Sequence, residues 1–142
     1  NLTKGEGYGR PLLEFSLVNK PIISTNWSGH IDFLNQEFTC LCGGQLKDVD
    51  ASARNEWIVE GSKWFDVDLG NVGFFLNDVF NNYKKYKNLA NRQGYISRTN
   101  FSFEKMKSDI DLILTESTPE IPKQVEFKLP ELKLPKLKKV EA

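Results

Sequence analysis

Ten residues near the N-terminus, Gly5-Glu6-Gly7-Tyr8-Gly9-Arg10-Pro11-Leu12-Leu13-Glu14, constrain this chain more than any other stretch. Three glycines alternate with Glu6 and Tyr8, and a proline then opens an apolar run. Glycine permits positive φ and lets a ligand touch the backbone. Proline suits the first helical position, where the N–H would have no intrahelical partner. The stretch reads as a strand end, a tight glycine loop and a helix starting near Pro11. Helix starts carry free N–H groups and partial positive charge, a setting that suits phosphate. Glu6 falls in the loop and Glu14 about one turn into the helix. Carboxylates repel an anion, but they fit here if they accept hydrogen bonds from hydroxyls beside it, as on a nucleotide sugar. The plain alternative is the glycine loop of an ordinary α/β protein, with Glu14 placed by the helix dipole.

Seven residues separate Glu6 from Glu14, with Gly7-Tyr8-Gly9 after the first and Pro11 before the second. This resembles the E-x7-E signature of retaining GT-B glycosyltransferases of the family-4 (group 1) type. Lys20-Pro21-Ile22-Ile23-Ser24-Thr25-Asn26-Trp27-Ser28-Gly29-His30-Ile31-Asp32-Phe33-Leu34 is similar to the segment that follows in that family: a Lys-Pro hydrophobic strand, a small-residue turn and a short helix. The resemblance spans residues 2–116. It implies an α/β fold, a Rossmann-like parallel sheet with helices, forming the C-terminal part of a GT-B nucleotide-sugar-binding domain. Residues 117–142 follow as an extended tail.

Carried over position by position, the resemblance implies a catalytic role for Glu6, which would contact the donor sugar and stabilise charge there. It gives Gly7, Tyr8 and Gly9 the loop whose N–H groups face donor sugar and phosphate. Glu14 takes the position that accepts hydrogen bonds from the ribose hydroxyls. Arg10 stands where many relatives carry an aliphatic residue. The implied substrate is a nucleoside diphosphate sugar, with no cofactor and no metal. The implied partner is an N-terminal acceptor domain that lies outside this chain, as does the first half of the donor domain. Transfer depends on positioning between two domains, so the isolated chain is expected to be nearly inactive.

With 142 residues, 39% hydrophobic, the chain suffices for one domain with a core. Lysine plus arginine and aspartate plus glutamate both number 19, so nothing global points to nucleic acid or an anionic membrane. No apolar run approaches the roughly 20 residues of a membrane span. Cys40 and Cys42 flank Leu41, so in a strand both face one side. They are read as buried free thiols in a reducing compartment, hence a cytoplasmic protein. Two cysteines and His30 make no zinc set. His30, the sole histidine, reads as a turn or helix-surface residue.

Periodicity places the elements. Leu2-Thr3 reads as a strand end, Pro11 to Asn19 as a helix stopped by Lys20-Pro21, and Ile22–Ser24 as a buried strand. Ser28 reads as the N-cap of a short helix through Leu34, and Phe38–Cys42 as the next strand. Gly43-Gly44 bends or breaks that strand, with residues 45–49 continuing it. This order is the grammar of a doubly wound layer. Trp57 and Trp64 read as loop anchors. Val72, Phe75, Leu76, Val79, Phe80 and Tyr83 form one helical stripe. Leu89–Ser97 continues helical after a bend, and Ser102 caps a last helix with Phe103, Met106, Ile110, Ile113 and Leu114 apolar.

Beyond Thr115, Pro119, Pro122, Pro130 and Pro135 exclude a continuous helix. Lys128-Leu129-Pro130-Glu131-Leu132-Lys133-Leu134-Pro135-Lys136-Leu137 repeats a K-L-P-x-L unit. Two readings stay open: an extended tail, or a segment whose leucines dock along a groove or sheet edge. Three functions are compatible with the whole. One is the donor-binding portion of a retaining glycosyltransferase. Another is a non-catalytic interaction module, self-associating through an unpaired sheet edge or docking through its tail. The third is a phosphorylase, which shares the architecture.

Overall fold

The computed structural model describes residues 1–119 and shows a mixed α/β chain in which a small parallel sheet is flanked by helices. Helix α1 (Arg10–Ser16) leads to strand β1 (Ile23–Thr25), a 3-10 turn (Gly29–Asp32) and strand β2 (Cys40–Cys42). Strands β3 (Gly44–Asp48) and β4 (Lys63–Val67) follow, then helices α2 (Leu69–Asn81), α3 (Tyr83–Asn100) and α4 (Phe103–Ser117). β1 and β2 pair in parallel, Ile23 opposite Cys40 and Thr25 opposite Cys42. Leu2-Thr3 forms no strand. The N-terminal amine instead donates to the Ile23 carbonyl at 2.8 Å, and Thr25 Oγ1 donates to the Thr3 carbonyl, so the first residues run beside β1.

The doubly wound expectation is only partly met among the described residues. β3 and β4 pair antiparallel, Gly44 opposite Val67 and Asp48 opposite Lys63. The reason lies in the connection. A parallel return needs a crossover long enough to traverse the sheet, generally a helix. Residues 49–62 offer only a 3-10 turn at Ala51–Ala53, capped by Asp50, whose Oδ1 accepts from the Ser52 amide at 2.8 Å. The chain therefore doubles back as a long hairpin.

Helix α1 ends at Ser16, sooner than the proline requires, because Asn19 turns left-handed at φ 56°. Asparagine tolerates that geometry better than other non-glycine residues. Basic side chains of α3 satisfy the carbonyls left open there: Arg98 Nη1 reaches the Leu17 carbonyl at 2.9 Å, and Lys87 Nζ donates to the Asn19 carbonyl. Leu12 is buried and Leu13 partly so, whereas Phe15, Leu17 and Val18 are exposed, so the apolar surface in use is narrower than the sequence suggests.

Leu12, Ile22, Phe33 and Leu34 form the core cluster. α2 packs on β1 and β2 through Val72, with Phe75 and Val79 half-buried. Leu76, Phe80 and Tyr83, expected in the same stripe, are exposed. The helix breaks at Asn82 before α3 begins; Tyr86 Oη donates to Asp78, joining the two and holding the Asp78 carboxyl below its usual range. Trp57 is 84% exposed and anchors nothing; Trp64 is half-buried with the Lys4 ammonium 4.0 Å above its ring. The stacked pair is instead Trp27 on Phe65, with centroids 5.8 Å apart. No described helix is long and apolar enough to cross a membrane. The tail expected at residues 117–142 lies outside the described residues from 120 onward.

Cys40 and Cys42 are buried on one face of β2, as the period of two requires. Burial, with Cys42 adding to it, pushes the Cys40 thiol up to about 11; burial raises Cys42 as well. Thiolate is the reactive form, so modification at pH 8 should be slowed on the order of a hundredfold against a free cysteine. Ellman's titration of the folded chain should find both thiols silent, and both should react in guanidinium. Rapid labelling of the native chain would contradict the packing of β2.

Candidate functional site

The glycine loop is held by the segment after β1. The Glu6 amide donates to Ser28 Oγ at 2.9 Å, Ser28 Oγ–H donates to the Glu6 carbonyl, and the Gly29 amide donates to that carbonyl at 3.3 Å. Ser28 thus spends its hydroxyl on the loop rather than on the 3-10 turn it precedes, which has no side-chain cap. It does so at φ 80°, a strained setting for a non-glycine residue. Such strain survives only where surrounding bonds over-determine it, and both sides of the Glu6 peptide do so here.

In the loop and the turn that holds it, two glycines are required by contact. Gly9 caps α1 at φ 84°, and a Cβ there would lie 2.8 Å from His30 Cβ. At Gly29 a Cβ would lie 1.9 Å from the Gly7 carbonyl oxygen. Gly5 and Gly7 differ: a Cβ at either would meet nothing within 4 Å. Small residues there leave the outer side of the loop open to approach.

His30 is wholly buried beneath this loop, which corrects its placement on a turn or helix surface. Its Nε2 lies 2.6 Å from the Thr25 carbonyl and 3.2 Å from Ser24 Oγ. A carbonyl only accepts, so Nε2 carries the proton. Nδ1 has no partner among the described residues. The ring is a spacer between β1 and the loop, which explains why a small-residue turn is followed by histidine.

The candidate residues are distributed as follows. Glu6 is half-buried, with Cγ 3.4 Å from where a Gly9 Cβ would stand. Tyr8 rests its ring on Phe33 at 5.4 Å between centroids and exposes the rest. Glu14 is exposed on α1 and accepts from Arg10 Nε at 2.7 Å. Such an exposed i, i+4 pair is worth about 0.3–0.5 kcal/mol, so a ligand can displace Arg10 from Glu14 at little cost. Among the described residues, the N–H groups of Gly7, Tyr8 and Gly9 donate to no acceptor. Successive backbone N–H groups without acceptors are the kind of donors that an oxyanion takes. The loop and the start of α1 thus bring Glu6, Gly7, Tyr8 and Gly9 together, and Glu14 stands on the same short helix with Arg10 as its neighbour.

Sequence reasoning missed the supports. Ser28 and Gly29 read as a turn, although a Ser-Gly pair also permits close backbone contact. Gln93 and Ser97 on α3 gave no signal at all. Gln93 is 1% exposed; its Oε1 accepts from the Asn35 amide at 2.9 Å and its Nε2 donates to the Phe33 carbonyl at 2.7 Å. Ser97 Oγ accepts from Gln93 Nε2 and from Ser16 Oγ, at 3.1 and 2.7 Å, linking α3 to α1. Among the described residues, no group of three or more His, Cys, Asp or Glu is arranged to hold a metal ion.

Comparison with known proteins gives no match: no family model, no curated protein and no solved structure resembles the chain.

Proposed function

We propose that the chain is the donor-binding portion of a retaining GT-B glycosyltransferase, moving a sugar from a nucleoside diphosphate sugar to an acceptor held by a further domain. Glu6 stabilises charge at the donor sugar, the Gly7, Tyr8 and Gly9 amides hold the diphosphate, and Glu14 receives the ribose hydroxyls. One observation carries this reading. The two stretches whose sequences resemble the family are docked on each other through Gly9 on His30, Gly29 under Gly7 and Ser28 on Glu6, and three amides of the loop have no acceptor among the described residues. An acid on the helix with only a weak surface partner fits a residue that exchanges that partner for a ligand. No cofactor or metal enters the proposal.

Isothermal titration of the full chain with UDP, GDP and ADP, and with their sugars, tests it. One nucleotide series should give saturable heat, and Glu14→Ala should weaken that binding about tenfold or more, since hydrogen bonds to a charged group contribute roughly 1.5–3 kcal/mol. The Glu14→Ala fold itself should be unchanged, because the residue is exposed. Flat heats for every nucleotide favour a second reading, a non-catalytic interaction module. Its supporting observation is the exposure of Phe74, Leu76 and Phe80 on α2 and of Phe103, Met106 and Ile113 on α4.

A further inference from the structure

Glu6 and Glu14 bring two negative charges to a loop that is read as receiving a diphosphate, and like charges repel. Within residues 5–19 a single cation offsets them, Arg10. Two other basic side chains touch the end of α1 away from the loop, and both are in use there. Lys87 donates to the Asn19 carbonyl, and Arg98 donates to the Leu17 carbonyl and to Asn19 Oδ1. Arg10 is held less firmly. Its side chain is 82% exposed, and among the described residues its one hydrogen bond runs from Nε to Glu14 Oε1 at 2.7 Å. A guanidinium carries five N–H donors in a planar fork, so most of its donors are uncommitted to any described residue.

We propose that Arg10 is a phosphate ligand of the glycine loop, exchanging Glu14 for the diphosphate when the ligand binds; this rests on the donor-binding reading above. Helix geometry supports the exchange. The Cα–Cβ bond of a helical residue tilts toward the N-terminus. Glu14 leans back along α1 and meets Arg10, whereas Arg10, once released, leans back over Gly9 and Tyr8. Consecutive Cα atoms are about 3.8 Å apart, so those two residues lie within about 7.6 Å of the Arg10 Cα, a span its side chain covers. The hydrogen bonds balance on both sides. Ribose hydroxyls donate to the Glu14 carboxylate in place of Nε, and the fork donates to two phosphate oxygens, the bidentate contact that suits arginine. A ligand satisfies both members of the pair only if it carries both a sugar and a phosphate. A nucleoside offers hydroxyls to Glu14 but leaves the displaced guanidinium without an anion. The pair therefore selects the phosphate-bearing ligand over its nucleoside.

The test is an NMR titration of the full chain and of Arg10→Gln with UDP, GDP and ADP, and with the matching nucleosides. Because the position is exposed, the variant should keep the wild-type amide spectrum away from the loop. For the nucleotide that the wild type binds, Arg10→Gln should weaken the diphosphate about tenfold or more, as charge-assisted hydrogen bonds are lost. The same change should leave the nucleoside equally well bound or up to about twofold tighter, because Glu14 no longer surrenders a weak surface partner. Arg10→Lys keeps the charge without the fork and should fall between the two for the diphosphate. A loss shared equally by diphosphate and nucleoside would make Arg10 a mere support of the loop and overturns the proposal. So does a diphosphate bound by Arg10→Gln as tightly as by the wild type, or more tightly, since Arg10 then only competes with the ligand for Glu14; the donor-binding reading survives that result. A wild-type chain that binds none of the three nucleotides overturns the reading and the role of Arg10 together.

Discussion

Gly29→Ala should lower the unfolding midpoint by about 10 °C or more and abolish any ligand binding at the loop. The methyl would stand 1.9 Å from the Gly7 carbonyl oxygen, so one of the two backbones must move. Neither moves freely. Gly29 donates its amide to the Glu6 carbonyl, and Ser28 is already strained in holding Glu6. Forced overpacking of this kind costs about 3 kcal/mol or more, and in a domain of this size each kcal/mol shifts the midpoint by several degrees. Gly5→Ala and Gly7→Ala are the controls. Open space surrounds both positions, so stability should stay within about 0.5 kcal/mol or rise slightly as the unfolded chain loses freedom. Thermal unfolding followed by circular dichroism separates these outcomes. A Gly29→Ala midpoint near wild type would mean that the loop and the turn are not docked as described.

Gln93→Leu should destabilise the chain by roughly 2–4 kcal/mol, read as a lower urea midpoint at unchanged slope. Leucine is apolar and of broadly comparable volume, and the site is fully enclosed, so burial as such argues for tolerance. The hydrogen bonds argue the other way and win. Leucine leaves the buried Phe33 carbonyl and the part-buried Asn35 amide without their partners, at about 1–3 kcal/mol for a fully buried group and less where water can reach. Ser97 and Ser16 keep each other, so that link between α3 and α1 survives. Gln93→Glu should be at least as harmful, because its carboxylate can accept from Asn35 but cannot donate to Phe33. A leucine variant as stable as wild type would show that this network contributes nothing net.

The two residues also mark where sequence reading reached its limit. Gly29 was legible as part of a small-residue turn, because glycine punctuates a chain locally. What could not be read was its neighbour, a carbonyl more than twenty positions away. Gln93 was illegible for a different reason. A glutamine in a polar helix reads as solvated, and only tertiary packing turns that face inward. The stripe on α2 shows the same effect reversed. Its period announced a helix, and the helix is there, but Leu76 and Phe80 are exposed while Val72 carries the contact. Period reports the element, whereas burial depends on what lies opposite. Cys40 and Cys42 were placed correctly because alternation in a strand is fixed by backbone geometry alone. The hairpin of β3 and β4 was not foreseen, since antiparallel pairing there depends on a connection that the composition of residues 49–62 leaves undefined. For the candidate site, the loop, the helix start and both acids stood in the sequence. The supports beneath them, Ser28 and His30, took their roles only in three dimensions.

The central claim is that the Gly7, Tyr8 and Gly9 amides receive a diphosphate. The direct measurement is an amide-resolved NMR titration of the full chain with the nucleoside diphosphates UDP, GDP and ADP. Those three resonances should shift most, saturably and together, with one of the nucleotides, and should move far less with the matching nucleoside. Amides at residues 7–9 that stay in place with every diphosphate, or that move less than signals on α4 or β3, would contradict the account.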